Sequence, residues 1–356
     1  MDFIQDGMAH GDVASILLNS GGDPNAFRPW IGNDGNSYVA QRQSDGVYAA
    51  VRTNATTSLR KDEWQLLDDA VVKAAKPRLK AVADLRGMGL TFNIPNGMAK
   101  TVVQTETQSD ISPAAVSMDG LRQSNADRPL YELTNLPLPI IHKDFDFSAR
   151  QVLVSRNGST PMDTSTAELA GRRVAEEAEK LLLGVSTVAD QYSYGGGVIY
   201  GYTDFPSRLT KTMTTPTGIA TNATTVTEVL EMRLQAQQAF HYGPYMLYCS
   251  TAWDVFLDDD YSSSKGDNTL RDRLKLINGI TDVRTLDYLD TDGTSYIMIL
   301  VQMTSDIVRE VIGMDITTLQ WPTMGGMQLN YKVMAILVPQ LRADQNSNTG
   351  IVHGTT

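Results

Sequence analysis

The chain has 356 residues, a net charge of −11, 42% hydrophobic residues and a single cysteine, Cys249. A single hydrophobic core stops growing at roughly 250–300 residues, so a chain of this length is predicted to form two or three globular units. The hydrophobic content predicts an ordered protein. One cysteine excludes an internal disulfide framework and any CxxC metal clamp. No segment approaches the ~20 apolar residues of a membrane-spanning helix, and the N-terminus lacks a secretory pattern. We therefore expect maturation in a cytoplasm, without a membrane partner.

The acidic balance argues against a protein that binds nucleic acid through its phosphates. Such proteins carry clustered Lys and Arg. Here Arg172 with Arg173, and Arg271 with Arg273, are isolated pairs that we interpret as solvated faces. The same charge is compatible with a container for DNA, because an acidic wall repels its contents.

Residues 1–58 are predicted to be an arm rather than a domain. A short amphipathic turn at Val13, Ile16 and Leu17 precedes the Gly- and Asn-rich text GGDPNAFRPWIGNDGNSY, which has too few apolar positions to close a core. Trp30 and Ile31 must therefore be buried on the body of this chain or on a neighbouring copy, and we favour the neighbour.

A helix is predicted over residues 58–82, where apolar residues recur with helical spacing around Trp64. Ser58 or Asp62 is placed to cap this helix. Pro77 should kink or end it locally, because proline cannot donate a backbone hydrogen bond.

Residues 90–150 predict a long two-stranded ribbon. A Val- and Thr-rich segment, residues 99–108, and a second extended segment, residues 130–149, flank a polar middle. Pro137 and Pro139 remove two backbone donors, which places the returning segment on an edge or an arm. A bare ribbon is marginal in water, so it needs a partner surface.

A long helix is predicted over residues 164–183. Ser165 and Glu168 have capping-box spacing, with Asp163 and Thr164 as alternative caps, and Gly184 is placed to end the helix. One face carries an apolar stripe, formed by Ala167, Ala170, Val174, Ala178, Leu181 and Leu182. Glu176 and Lys180, one turn apart, are predicted to lie on the solvent side.

Strands alternating with short helices over residues 224–324 predict a compact α/β domain with a central sheet. The predicted elements are helix 226–240, strand 244–250, helix 251–257, helix 270–277, strand 282–289, strand 295–303 and helix 305–313. A long strand over residues 327–341 must rejoin another sheet. The polar tail after Asp344 is expected to be loose.

No reaction centre is evident from residue types and spacing. The histidines are scattered and form no zinc-binding pair: His10, His142, His241 and His353. His142 lies beside charged residues in the returning segment, where a packing or interface role is favoured over catalysis. Cys249 falls in an apolar strand and is expected to be buried and inert.

Two further candidate motifs are interpreted as turns. The glycines at 195–197 lack the Lys-Ser/Thr of a phosphate loop. The acidic runs at 258–260 and 290–293 lack the spacing of an EF-hand, although adventitious cation binding stays open. We therefore predict that the protein is not an enzyme and that it has no cofactor and no metal. The arm and the ribbon cannot satisfy their own surfaces, which indicates assembly with neighbouring copies.

The order of these elements resembles the major capsid proteins of tailed phages with the Hong Kong 97 capsid fold, in the branch shared with encapsulins. The resembling text covers residues 59 to 339 and includes LRKDEWQLLDDAVVKAAKPRL, NLPLPIIHKDFDFSAR, DTSTAELAGRRVAEEAEKLLLG, GPYMLYCSTAWDVFL and YKVMAILVP. The specificity of the resemblance lies in the order of these stretches rather than in a single sharp motif.

The resemblance implies an α+β chain that self-assembles as pentamers and hexamers into an icosahedral shell. The implied divisions are an N-terminal arm (1–58), an N-terminal helix (59–89), an extended loop (90–150), a peripheral domain with a spine helix (151–223), an axial domain (224–324), a return strand (325–344) and a C-terminal tail (345–356). Intersubunit contacts are expected at Trp30, Ile31, Lys100, Pro137, Pro139 and His142. Lys100 lies on the ribbon, but nothing in the sequence supports a crosslink there.

Two departures favour a phage virion over a simple encapsulin: nearly sixty residues precede the helix around Trp64, and the ribbon tip, residues 109–129, is long and polar. The leading expectation is a major capsid protein that is located in the virion, assembles in the host cytoplasm and encloses double-stranded DNA without sequence-specific binding. A portal, and scaffold or decoration proteins, are the further partners. The alternative is an encapsulin-type shell around a cargo enzyme, and a monomeric enzyme is disfavoured.

Overall fold

The computed structural model describes residues 28–32, 34–42, 47–53, 59–109, 111–114, 116–118, 128–157, 164–185, 192–262, 268–289, 295–344 and 346–356. The strands are β1 Trp30–Ile31, β2 Ser37–Arg42, β3 Tyr48–Thr53, β4 Leu59–Arg60, β5 Thr91–Asn93, β6 Val102–Gln108, β7 Tyr131–Pro137, β8 Ile141–Ser148, β9 Ser193–Tyr194, β10 Gly197–Val198, β11 Leu209–Thr212, β12 Tyr245–Ser250, β13 Ile280–Leu286, β14 Ile297–Gln302, β15 Val308–Thr323, β16 Gln328–Leu341 and β17 Ile351–Thr355. The α-helices are α1 Lys61–Ala75, α2 Lys80–Gly87, α3 Ala149–Asn157, α4 Ser165–Leu183, α5 Ile219–Gln238, α6 Asp254–Leu257 and α7 Leu270–Lys275.

Two sheets organise the core. The first has the strand order β5-β15-β16-β8, and α4 packs on β16 and β8. The second has the order β11-β17-β14-β12-β13 and buries its own apolar cluster around Trp253. Helices cover an apolar face of each sheet, as is usual in α+β proteins, and this removes the face from water.

Helix α4 confirms the predicted long helix and its buried stripe. Each stripe residue is at most 8% exposed, and Gly184 ends the helix in the left-handed conformation (φ 85°) that favours glycine. The N-cap is Thr164, whose hydroxyl lies 3.2 Å from Glu168 Oε1. Glu176 is only 6% exposed and is held by Arg172 and Arg173, so the prediction that it lies on the solvent side is wrong.

The first predicted helix is divided, as Pro77 suggested. A 3₁₀ segment, Lys76–Arg78, separates α1 from α2. The N-cap is Arg60 rather than Asp62, and the Glu63 carboxylate accepts the Arg60 backbone N–H at 2.8 Å. Ser58 lies outside the described residues.

The ribbon is confirmed as an antiparallel pair in which β6 and β7 run in register from Val102↔Pro137 to Gln108↔Tyr131. The returning segment then leaves the ribbon. Strand β8 joins the first sheet as an edge strand beside β16, so Pro137 and Pro139 mark the junction of ribbon and sheet.

The C-terminal third of the chain differs from the prediction at two places, one in each sheet. The helix predicted at 305–313 is wrong, because Val308 begins β15, which pairs with β16 over its whole length. The loose C-terminal tail is also wrong. Strand β17 lies between β11 and β14, where Ile351 and Val352 are fully buried. Two apolar residues in a polar stretch are a weak sequence signal, and only their non-local partners make a strand of them.

The described part of the N-terminal segment is a small sheet with the order β3-β2-β1-β4. It packs on its own chain: the Trp64 indole N–H donates to Pro29 O at 2.8 Å, and Lys61 Nζ lies 5.1 Å from the centre of the Trp30 ring. Trp30 and Ile31 are half-buried there. The amphipathic turn predicted around Ile16 lies outside the described residues.

Candidate intersubunit site

The described residues hold no obvious catalytic constellation. No group of three or more His, Cys, Asp or Glu side chains among them could hold a metal ion. Burial raises the pKa of the Cys249 thiol to about 12, so the thiol stays protonated at neutral pH. Burial, with the Arg208 guanidinium nearby, lowers the pKa of His353 to about 4, so its imidazole stays neutral. Over the described part of the chain, no helix combines the length and apolar character needed to cross a bilayer.

The two faces of the ribbon differ. Thr105 and Thr107 are half-buried, and Gln340 Nε2 on β16 lies 3.5 Å from the Thr105 hydroxyl, so this face is turned toward the body of the chain. Because side chains alternate along a strand, Tyr131 and Leu133 lie on the other face. They are 62% and 59% exposed. Their cross-strand partners on this face, Gln108 and Glu106, are polar. The face therefore exposes two large side chains with apolar surface among polar ones, and a partner can cover them.

A pocket of about 290 Å³ lies where the ribbon meets the first sheet. We call it the ribbon-base pocket. Its lining comprises Thr101, Pro137, Leu138, Pro139, Ile140, His142, Tyr192, Tyr194, Lys332 and Met334. Three of the predicted contact residues (Pro137, Pro139 and His142) therefore line one pocket, and a fourth, Lys100, directly precedes the lining residue Thr101. Trp30 and Ile31 lie elsewhere, against α1.

A tight hairpin, β9–β10, forms one wall of this pocket. Asn135 Nδ2 on the ribbon donates to Gly195 O at 3.0 Å. A Cβ atom on Gly197 would lie 2.1 Å from Asn135 O, which is far inside van der Waals contact. The predicted flexible turn is therefore a glycine-dependent contact between hairpin and ribbon, and it places Tyr192 and Tyr194 at the pocket.

Lys332 and His142, at the rim of the pocket, share one carboxylate partner. Lys332 Nζ lies 3.5 Å and His142 Nδ1 3.8 Å from the same oxygen, Asp144 Oδ1. Asp144 itself lies outside the lining, which contains no acidic residue. Lys100 is exposed and forms no ion pair within the described residues.

A second, larger groove of about 730 Å³ lies between the ribbon and the end of β16. Its lining is acidic: Glu106, Glu132, Asp306 and Asp344 contribute to it, against one arginine, Arg342. The two concave surfaces of the ribbon region therefore differ in charge.

Sequence reasoning missed Tyr192, Tyr194, Lys332 and Met334. The hairpin tyrosines directly precede a triple glycine, which does indicate a close backbone approach. Lys332 and Met334 belong to β16 and reach the pocket only because β16 pairs with β8, a contact between residues far apart in sequence.

The family model described as "Family of unknown function (DUF6260)" matches residues 54–354, and the chain belongs to this family. A curated relative is the "Type 1 encapsulin shell protein EncA" of Myxococcus xanthus (strain DK1622). It is 22% identical over 246 residues, which cover 67% of this chain and 73% of the relative.

Two solved structures have a TM-score of 0.56. One is the virus-like particle from Pyrococcus furiosus, at 15% identity over 82% of this chain and 98% of that one. The other is the capsid of Myoviridae Phage XM1, at 9% identity over 76% and 91%. The chain therefore has the Hong Kong 97-type capsid fold shared by phage capsids and encapsulins, and the proteins it resembles are shell proteins rather than enzymes.

Proposed function

We propose that the chain is the major capsid protein of a tailed bacteriophage. In this proposal its copies assemble as pentamers and hexamers into an icosahedral shell that encloses double-stranded DNA. The observation that carries the proposal is the ribbon, which leaves Tyr131 and Leu133 exposed on the single chain in a structure with the capsid fold. Covering such a face with another copy removes the apolar area from water.

A second exposed surface, formed by the loops after α5 and α7, supports assembly. Phe240 and Tyr242, in the loop after α5, are 73% and 66% exposed, and Leu276, after α7, is 72% exposed. Arg233 on α5 donates to Asn278 O at 2.8 Å, which holds the loop after α7 against α5. Large apolar side chains grouped at one end of a sheet suit contacts around a symmetry axis.

The choice of a phage capsid rests on the N-terminal extension. The family match begins at residue 54, and the segment before it contributes strands β1–β3 and the packing around Trp64. We propose that this segment holds neighbouring copies together in a larger lattice.

The divisions into arm, extended loop, peripheral domain and axial domain are kept as proposals. In this proposal the axial domain also includes β17, which belongs to the second sheet. The return to the first sheet starts with β15, which forms a hairpin with β16.

The proposed partners follow from this role. Copies of the chain are the main partner, with a portal and with scaffold or decoration proteins. The net charge of −11 suits a wall that encloses DNA without sequence-specific binding. The proposed location is the virion, with assembly in the host cytoplasm.

The alternative function is an encapsulin-type compartment that encloses a cargo enzyme. The observation that favours it is the sequence similarity to EncA over two thirds of this chain. Neighbouring genes discriminate between the two: terminase and portal genes support the phage, and a cargo-enzyme gene supports the compartment.

The test is expression of the chain alone, followed by size-exclusion chromatography and electron microscopy. Closed icosahedral shells are expected. A chain that stays monomeric at high concentration would contradict both functions. Particle diameter and contents then distinguish a genome container from a small enzyme compartment.

A further inference from the structure

We infer that the hairpin β9–β10 holds the ribbon at one angle to the first sheet through the side-chain amide of Asn135, and that this angle sets the curvature of the assembled shell. The effect on curvature rests on the proposed shell function, whereas the holding contact belongs to the single chain. Asn135 is thus a positioning residue, which acts on assembly through the ribbon.

The amide of Asn135 joins both strands of the ribbon to the hairpin. Its Nδ2 donates to Gly195 O at 3.0 Å, and its Oδ1 accepts from Gln104 Nε2, on the other ribbon strand, at 3.1 Å. A backbone carbonyl is an acceptor only, so Gly195 O fixes which end of the amide faces the hairpin. The remaining amide oxygen then needs a donor, and Gln104 supplies it.

Glycines let the hairpin backbone lie directly against the ribbon. A Cβ atom on Gly195 would lie 2.9 Å from Val102 Cγ2 on β6, and one on Gly197 would lie 2.1 Å from Asn135 O on β7. A side chain at either position would push the hairpin and the ribbon apart. The contact therefore includes both ribbon strands and depends on a close backbone approach.

Beyond this contact, the groove of about 730 Å³ separates the ribbon from the end of β16. The distance from Gln340 Nε2 to the Thr105 hydroxyl, 3.5 Å, exceeds the range of a normal N–H···O bond, about 2.7–3.2 Å. Glu132 of the ribbon and Asp306 of the body line the same groove, and their like charges oppose its closure. The angle of the ribbon therefore depends on the contact at its base rather than on packing along its length.

The ribbon is long enough to amplify a small change of angle. Strand β6 has seven residues. At about 3.3 Å per residue it spans about 23 Å, so a rotation of about 10° at the base moves the far end by about 4 Å. The exposed side chains of Tyr131 and Leu133 lie toward this far end. The angle at the base therefore determines where a second copy meets the ribbon, and the same shift at every contact of a shell changes its curvature.

The experiment reverses the polarity of the contact and measures the angle. Asn135→Asp places a carboxylate, which only accepts, against Gly195 O. Spin labels on the full-length chain with Gln108→Cys and Asp306→Cys report the width of the groove, since both residues are exposed and line its opposite sides. Cys249 is fully buried and stays unlabelled. The labelled chain is diluted into unlabelled chain, so that double electron–electron resonance measures distances within one copy.

We expect a narrow distance distribution for the labelled parent chain and one at least about twice as wide for Asn135→Asp. Asn93→Asp is the matched control, because it makes the same change at an exposed residue of β5, the edge strand opposite β8. It should keep the parent width. Gln104→Glu changes an exposed residue and draws the Asn135 Nδ2 away from Gly195 O, so it should also widen the distribution. Parent widths in both Asn135→Asp and Gln104→Glu would overturn the inference.

Electron microscopy of assembled particles tests the effect on curvature. The parent and Asn93→Asp should form shells of one diameter, whereas Asn135→Asp should form shells of mixed diameter or open sheets, with a Tm within about 4 °C of the parent. Shells of one unchanged diameter from a variant with widened distances would overturn the link to curvature. If the parent itself forms no shell, the proposed function fails together with that link, and the distances alone then decide on the holding contact.

Discussion

Glu179 on α4 is a carboxyl group almost without solvent, at 1% exposure. It accepts the backbone N–H groups of Ala81 at 2.6 Å and Val82 at 3.2 Å, at the start of α2. One turn further along α2, Asp84 accepts Tyr248 Oη at 3.2 Å and pairs with Arg284 at 2.6 Å. These buried carboxyl groups therefore join the long helix to the second sheet.

The burial of Glu179 predicts a pH-dependent stability. Burial raises its pKa from the ordinary 4.5 to about 7, and the charge of Asp84 adds to the shift. Between these values the folded chain holds a proton that the unfolded chain has released. The free energy of unfolding should therefore fall as pH rises from about 4.5 to 7, by on the order of 3 kcal/mol.

Glu179→Gln keeps an acceptor for the two N–H groups and removes this titration. Thermal or urea unfolding of both proteins at pH 5 and pH 7.5 measures the difference. The wild type should lose stability relative to the variant at the higher pH. Equal pH slopes for the two proteins would contradict the assignment.

Leu181 tests the apolar stripe at a single position. Leu181 is 8% exposed, so Leu181→Asp would bury an unpaired charge and should cost about 3–5 kcal/mol. Leu169 on the same helix is 51% exposed, and Leu169→Asp should cost less than about 1 kcal/mol. Urea unfolding and soluble yield measure both. Similar losses for the two variants would mean that the stripe is misassigned.

At the scale of elements, the contact between hairpin and ribbon depends on Gly197. Gly197→Ala forces a Cβ atom against Asn135 O and should cost about 1–3 kcal/mol by overpacking. Gly87→Ala is the matched control, since its Cβ meets no atom within 4 Å. Differential scanning calorimetry should show a lower Tm for the first variant alone. An unchanged Tm for Gly197→Ala would indicate that the hairpin moves freely.

The sequence predicted those elements that depend on interactions between residues close together in the chain. The stripe of α4, the break at Pro77 and the ribbon pair all follow from spacing, proline chemistry and strand composition, and the structure confirms them. The order of such elements also sufficed for the fold class.

Non-local pairing explains the errors. The apolar spacing of residues 305–313 is compatible with a helix or a strand. The segment from Val308 onward forms a strand because it pairs with β16. Strand β17 exists because β11 and β14 flank it. Glu176 is buried because arginines of its own helix neutralise it. At the candidate site, the sequence indicated Pro137 and Pro139 as contact residues. It did not indicate Lys332, which lies at the pocket only because β16 pairs with β8.

At the scale of the whole molecule, the exposed ribbon face predicts an assembly defect without a folding defect. Leu133→Glu places a charge where a neighbouring copy would cover the ribbon, and Leu133 is 59% exposed in the single chain. The subunit should keep its circular dichroism spectrum and its Tm, and particles should be reduced at least about tenfold in size-exclusion chromatography. Normal particle yield would exclude this face from the contact.

The N-terminal segment predicts a second separation of folding from assembly, and the structure fixes where to cut. Arg28 pairs with Asp68, and Pro29 O accepts the Trp64 indole N–H, so these residues support α1. Deletion of residues 1–27 preserves both contacts and should leave the subunit folded while the lattice is weakened or changes diameter. Deletion of residues 1–58 removes both contacts and exposes Trp64, so it should lower the Tm by several degrees. Electron microscopy and thermal unfolding of the two deletions distinguish these effects. Shells of unchanged diameter and urea resistance after the shorter deletion would show that the segment does not connect neighbouring copies.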